Sequence, residues 1–198
     1  GPEAKAATPL KFPRSPLPYL VGIMALFSMI PEGAILDWSA LFLQQEHGAS
    51  IELAALGFAA FSATMAIMRF AGDAIRQRLG AVLTLRICGG FALTGMMLAA
   101  LAPEPELAIL GFAIAGIGIS NIVPIAFSAA GNLPGVPSGI GLSIVTVMGY
   151  SGILIAPSAI GFIAEHTGFS PVLMGTAALV LVTLGLSRLA RYANFSAE

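Results

Sequence analysis

The sequence has few charged residues and a single cysteine. Charged residues make up 10% of the 198-residue chain, against about 25% in a typical soluble domain, and the mean hydropathy is +0.92. This shortage of charge excludes an ordinary soluble domain and predicts an integral membrane protein. The net charge of -1 argues against a nucleic-acid partner, which needs a basic surface. Cys88 by itself excludes an intrachain disulfide.

The chain also lacks the residue groupings that most enzymes need. We find no metal-ligand spacing, no histidine cluster, no serine–histidine pair and no neighbouring carboxylates at bilayer depth, so we expect neither an enzyme nor a metal or cofactor. Residues 1–16 hold no short apolar segment followed by a cleavage site, which argues against a signal peptide. We predict that they are a cytoplasmic linker or the remnant of a cleaved tag.

Long apolar runs are what the sequence does contain. A run of about 20 apolar residues crosses a hydrocarbon core of about 30 Å as a helix. Six such runs predict an all-α bundle over residues 17–189, followed by a cytoplasmic tail at 190–198. The predicted spans are residues 17–43, 53–70, 81–101, 107–130, 140–164 and 172–189.

The charges give an independent test of this topology, because cytoplasmic loops collect Lys and Arg. Six spans place all nine basic residues on one side of the membrane, and therefore both termini in the cytoplasm. The basic side carries Lys5, Lys11, Arg14, Arg69, Arg76, Arg78, Arg86, Arg188 and Arg191. The opposite side carries Glu46, His47, Glu52, Glu104, Glu106, Glu165 and His166.

The first span contains the acid that needs the strongest explanation, Glu32. An acid at mid-membrane costs about 2.5–3.5 kcal/mol on insertion scales, so it usually faces a bundle interior or a wet cavity. Counting from residue 17 at about 1.5 Å per residue, Glu32 lies about 20 Å deep. A structural acid paired with a polar group is the alternative to a role in coupling.

Gly/Pro-interrupted helices at corresponding positions of two repeats often mark a transport pathway. Six spans divide into two triplets, whose first helices carry Pro31 beside Glu32 and Asn121 close to Pro124. Both polar residues fall near mid-span and are predicted to face one cavity, although an asparagine also serves as a link between helices.

Three further polar residues are candidates for solute contact. Asp37 and Trp38 lie nearer the outer surface, where tryptophan belongs to the interfacial belt and an acid is solvated. Stacking of Trp38 on a sugar-like solute is the functional alternative. Tyr150 either presents its hydroxyl to the cavity or packs at the interface.

Four segments together resemble the second half of a major facilitator superfamily transporter, in the bacterial branch related to fucose permease. In chain order they read EGAILDWSALFL, LGFAAFSATMAIMRFAGDAIRQRLG, GFAIAGIGISNIVPIAFSAAG and GYSGILIAPSAIGFIAEHTG. The resemblance covers the chain from Leu17 onward and implies one six-helix half, built from 3+3 repeats. In this family two such halves rock about a central site, usually with proton coupling, so the resemblance implies symport across the bacterial inner membrane.

The resemblance also implies roles for residues away from the candidate cavity. The family has a charged latch motif between the second and third helices of each half. Here that motif is matched in residue type but not in strict spacing. The matching residues are Gly72, Asp73, Arg76, Arg78 and Gly80. Gly149, Gly152, Pro157 and Gly161 resemble the pattern of the family's fifth helix, which packs closely and bends.

Two functions of different classes remain open from the sequence. The first is the C-terminal half of a proton-coupled secondary transporter for a small polar solute, in contact with lipid and with an N-terminal half outside this sequence. The second is a stand-alone six-helix scaffold or a homo-oligomeric channel subunit. The second predicts a self-complementary helix face and no functional need for an acid at the midplane.

Overall fold

A computed structural model describes residues 12–194 as an all-helical bundle. The helices are α1 (Leu17–His47), α2 (Ile51–Leu79), α3 (Ala81–Leu101), α4 (Pro105–Ile119), α5 (Ile122–Ala130), α6 (Ser138–Thr167), α7 (Phe169–Gly185) and a 3-10 helix (Ser187–Ala193). The predictions for residues 1–11 and 195–198 lie outside the described residues.

The lengths and compositions of these helices make the chain a multi-pass membrane protein. Within residues 12–194, α1, α2, α3, α6 and the α4–α5 segment are each long and apolar enough to span a membrane. The helix α7 and the 3-10 helix meet this criterion together and are bent by 61° at their junction. The predicted all-α membrane fold is confirmed: residues 12–194 contain five candidate spans, and six if the bent pair counts as one.

The structure changes two of the predicted span ends and locates the interruption in the fourth span. The second span was expected to end at residue 70, but α2 continues to Leu79. Its last turns contain alanine, arginine, glutamine and leucine, which are good helix formers, so a charged stretch does not end the helix. The fourth predicted span is interrupted at Ser120 and Asn121. The sixth predicted span gives way at Gly185 to the 3-10 helix, before residue 189.

Small residues set the distance between α3 and α4. A Cβ atom built on Gly118 would lie 2.1 Å from the Ala92 backbone nitrogen, and one on Gly95 would lie 2.3 Å from that of Ala115. The same holds for Gly111, where the nearest backbone atom, the Ala99 nitrogen, would be 2.6 Å away. The two helices therefore touch backbone to backbone, the packing that small residues permit in membranes.

Two side-chain caps tie the ends of the bundle together. At one end, which we call the basic end, Asn194 Oδ1 accepts a hydrogen bond of 2.8 Å from the Ala81 backbone nitrogen and so caps α3. At the other end, the acidic end, Glu46 in the last turn of α1 caps the start of α7. Its carboxylate accepts hydrogen bonds from the Phe169 and Ser170 backbone nitrogens, and one of 2.5 Å from the Ser170 hydroxyl.

We expect Glu46→Ala to loosen the acidic end. The substitution removes an anion from the positive end of α7 and leaves two backbone N–H groups without their acceptor, at a cost of about 1–2 kcal/mol. Hydrogen–deuterium exchange of the Phe169 and Ser170 amides should accelerate, whereas Gln45→Ala, at the exposed neighbouring position, should leave it unchanged. Equal exchange in the two variants would contradict the capping role.

Candidate functional site

An ion pair joins the middle of α1 to α2. Glu32 is the central residue of the 31-residue helix α1, and its Oε1 accepts a hydrogen bond of 3.1 Å from Arg69 Nη2 on α2. The Glu32 side chain is 18% exposed and that of Arg69 is 45% exposed. The carboxylate of Glu32 is thus mostly buried, whereas nearly half of the Arg69 side chain is exposed at the surface of the bundle.

Arg69 is the member of this ion pair that sequence reasoning missed. The charge count assigned it, with Arg76, Arg78 and Arg86, to the basic groups around the second connection, although the predicted second span reached residue 70. Because Arg69 pairs with the middle residue of α1 and lies ten residues before the end of α2, that placement is wrong. One signal was available: Arg69 stands between Met68 and Phe70, inside the apolar run rather than after it.

Asn121 lies next to this pair but is turned toward α2. Its side chain is buried, and Nδ2 donates to the Met68 carbonyl oxygen at 3.2 Å and to Ser120 Oγ at 3.0 Å. A Cβ atom on Gly72 would lie 1.9 Å from Asn121 Oδ1, so the amide fits only because that position is glycine. The Asn121 side chain therefore links α2 to the break between α4 and α5.

Arg69 makes a second contact at the same break. Its Nε donates to the Ser120 carbonyl oxygen at 3.4 Å. Through Glu32 and Ser120, one guanidinium joins α1 and the α4–α5 break to α2. Glu32 is thus linked to the α4–α5 break through Arg69 and the Ser120 carbonyl, while a cavity shared by Glu32 and Asn121 stays a prediction.

Three of the predicted site residues lie apart from the ion pair. Trp38 packs on α6 and α7: its ring centroid is 5.6 Å from that of Phe169, and a Cβ on Gly161 would be 2.9 Å from Trp38 Cη2. Tyr150 on α6 is 52% exposed, and Asp37 is exposed on α1. Within residues 12–194, no hydrogen bond or ring contact connects either of the last two side chains to the pair.

Two comparisons with known proteins bear on the identity of this bundle, while no protein-family model matches the sequence. An uncharacterised MFS-type transporter of Yersinia pestis is 38% identical over 176 residues, which cover 89% of this chain and 45% of that protein. Membrane protein MosC of Rhizobium meliloti is 35% identical over 167 residues, covering 84% of this chain and 40% of MosC.

A solved structure has the same fold. The fucose:proton symporter FucP of E. coli matches 89% of this chain and 43% of its own, with a TM-score of 0.79 and 18% sequence identity. The chain belongs to the major facilitator superfamily. It spans less than half the length of the relatives that it matches, and its bundle is one six-helix half of the superfamily fold.

The charged segment that resembles the superfamily's latch motif lies inside the helix α2. Gly72 is buried against Asn121, whereas Asp73 faces outward. Asp73 Oδ1 accepts a hydrogen bond of 3.1 Å from Arg76 Nη2 within the same helix. Arg78 is exposed near the basic end.

In this superfamily half, glycines of α6 let that helix pack closely against α1. Both helices run without interruption through Pro31 and Pro157. A Cβ on Gly149 would lie 2.7 Å from Met29 Sδ, and one on Gly152 would lie 2.7 Å from Leu26 Cδ1. In this structure the break in helical geometry occurs near Pro124 instead.

Proposed function

We propose that this chain is the C-terminal half of a secondary active transporter that moves a small polar solute across the bacterial inner membrane by alternating access, with proton coupling. Its relative in Yersinia pestis is named an MFS-type transporter. FucP, which shares the fold, is named a fucose:proton symporter, and this makes a sugar the first candidate solute.

The observation that carries this proposal is the Glu32–Arg69 pair. A charge pair at mid-helix is costly to bury, so an intramembrane acid and base usually mark an ion or substrate pathway. Here the ion pair is only partly buried, because the Arg69 side chain is 45% exposed. The exposed guanidinium offers N–H donors to solute oxygens, and Glu32 is the group whose protonation changes between the two access states.

The partner of this half is a second six-helix half, with lipid around both. Support comes from the relatives, of which the chain covers less than half, and from large apolar side chains exposed along two helices. On α2 they include Leu56, Phe58, Ile67 and Phe70, and on α6 they include Val147, Leu154, Ile155 and Phe162. These faces meet lipid or the other half.

The orientation and the remaining site residues complete the proposal. Both termini lie in the cytoplasm, since the basic end carries the arginines in the last turn of α2 and in the 3-10 helix that follows α7. Asp37, Trp38 and Tyr150 line the outer part of the pathway. Gly72, Asp73, Arg76 and Arg78 act as the latch on the cytoplasmic side.

The test is Glu32→Gln in the protein expressed from the complete reading frame and reconstituted in proteoliposomes. With an inward proton gradient, we expect the wild type to accumulate a labelled neutral sugar, with L-fucose as the first probe. Glu32→Gln removes the titrating group without changing its size, so its accumulation should fall to that of empty vesicles. Binding measured by thermal shift should remain.

The matched control is Glu104→Gln, which alters an exposed carboxylate at the start of α4 and should accumulate the sugar normally. Wild-type accumulation by Glu32→Gln would remove Glu32 from the coupling role. The alternative of a stand-alone scaffold or channel subunit is not favoured, because the fold and the relatives are those of transporters.

A further inference from the structure

The carbonyl oxygen of Ser120 lacks the hydrogen bond that a continuous helix would give it. In an α-helix that oxygen accepts from the N–H four residues later. Here the fourth residue is Pro124, which has no N–H. Helical bonding is intact on both sides, since the Ser120 nitrogen donates to the Gly116 oxygen at 3.3 Å and the Ile125 nitrogen donates to the Asn121 oxygen at 3.1 Å.

This carbonyl has to find another donor, because Ser120 is fully buried and a buried carbonyl without a partner is costly. Arg69 supplies that donor through Nε, at 3.4 Å. The same guanidinium holds Glu32 through Nη2, at 3.1 Å. The two contacts use different nitrogens and lie on different helices, so together they fix the orientation of the guanidinium plane.

We propose that Pro124 is a positioning residue for Arg69. Because Pro124 has no N–H, the Ser120 carbonyl is free to accept a hydrogen bond from Arg69 Nε. This second contact orients the guanidinium so that Nη2 reaches Glu32 and the other N–H groups stay available to a solute. That Pro124 thereby helps Arg69 to bind a solute rests on the proposed function. The hydrogen bond between Arg69 and the Ser120 carbonyl does not depend on that function. An N–H at position 124 would compete with Arg69 for the same oxygen.

The other prolines within helices provide a comparison inside the same chain. Pro31 in α1 and Pro157 in α6 also lack an N–H and free the carbonyls four residues earlier, at Phe27 and Ile153. In the described part of the chain, no side-chain donor binds either of those oxygens. Pro157 therefore serves as a control that removes a mid-helix proline without touching an arginine anchor.

The experiment uses the protein from the complete reading frame, labelled with ¹⁵N-arginine and placed in lipid nanodiscs. The Arg69 Nε–H signal is assigned by its loss in Arg69→Lys. In Pro124→Ala we expect solvent exchange of this proton to be about tenfold faster, the scale expected for one lost hydrogen bond. In Pro157→Ala the exchange rate should equal that of the wild type.

An unchanged rate in folded Pro124→Ala would overturn the proposal, and so would equal acceleration in both proline variants. Pro124→Gly also introduces an N–H at position 124. If the alanine variant does not fold, the exchange rate of the Arg69 Nε proton is measured in this variant instead. No solute is needed, so the result is separate from the transport assay. Failure of Glu32→Gln to affect transport would refute the proposed function and leave this anchoring intact.

Discussion

Replacing Arg69 by glutamine is expected to abolish solute accumulation and to lower the free energy of unfolding by about 1–3 kcal/mol. The substitution leaves Glu32, which is only 18% exposed, as an acid without its partner, and frees the Ser120 carbonyl. This cost is smaller than that of breaking a fully buried pair, because the arginine itself is 45% exposed. Uptake in proteoliposomes and chemical denaturation in detergent measure the two effects.

A double-mutant cycle separates the ion pair from other consequences of losing the arginine. If the pair carries the effect, Glu32→Gln combined with Arg69→Gln should be more stable than Arg69→Gln by itself, because the unpaired acid is gone. Arg78→Gln, at an exposed position on the same helix, is the control and should change stability little. Strictly additive effects at positions 32 and 69 would show that the contact contributes nothing.

We expect Gly118→Ala to destabilise the bundle by forcing α3 and α4 apart. The added Cβ would lie 2.1 Å from the Ala92 nitrogen and 2.5 Å from the Cys88 carbonyl oxygen. Both are backbone atoms, so the two helices must separate rather than a side chain move aside. Overpacking of this kind costs about 1–3 kcal/mol, seen as a lower thermal midpoint and a lower yield of monodisperse protein.

Gly90→Ala on α3 is the matched control. A Cβ at Gly90 would have no atom within 4 Å apart from its chain neighbours and the backbone of its own helix. Alanine is also a better helix former than glycine by about 1 kcal/mol. This variant should be as stable as the wild type or slightly more so. If Gly118→Ala were equally tolerated, the close contact between α3 and α4 would not be a feature of the folded protein.

The candidate site shows where sequence reasoning about a membrane chain succeeds and where it fails. Glu32 was identified because a carboxylate inside an apolar run is costly whatever surrounds it. Arg69 was missed because an arginine near the end of such a run is also what a cytoplasmic boundary looks like. Only the position of α2 against α1 distinguishes these cases, and that position depends on packing between residues far apart in the chain.

Asn121 and Pro124 illustrate the same division. Their types and their place in the fourth span predicted an interrupted helix, and the structure has a break there. The sequence did not indicate that the Asn121 side chain would pack against Gly72 rather than face a cavity. Nor did it indicate that the carbonyl freed by Pro124 would meet Arg69, since hydrogen-bond partners across 51 residues leave no periodic signal.

The sequence by itself determined that this protein is a multi-pass helical membrane protein, because burial in lipid requires long apolar helices and allows few charges. It also indicated the family, through four segments in the order that the superfamily uses, and the comparisons confirmed it. The tertiary structure alone decided which helices touch, where α2 ends, and that one guanidinium joins α1 to the α4–α5 break. Those features follow from close packing of small residues and from buried polar groups that must find partners across the bundle.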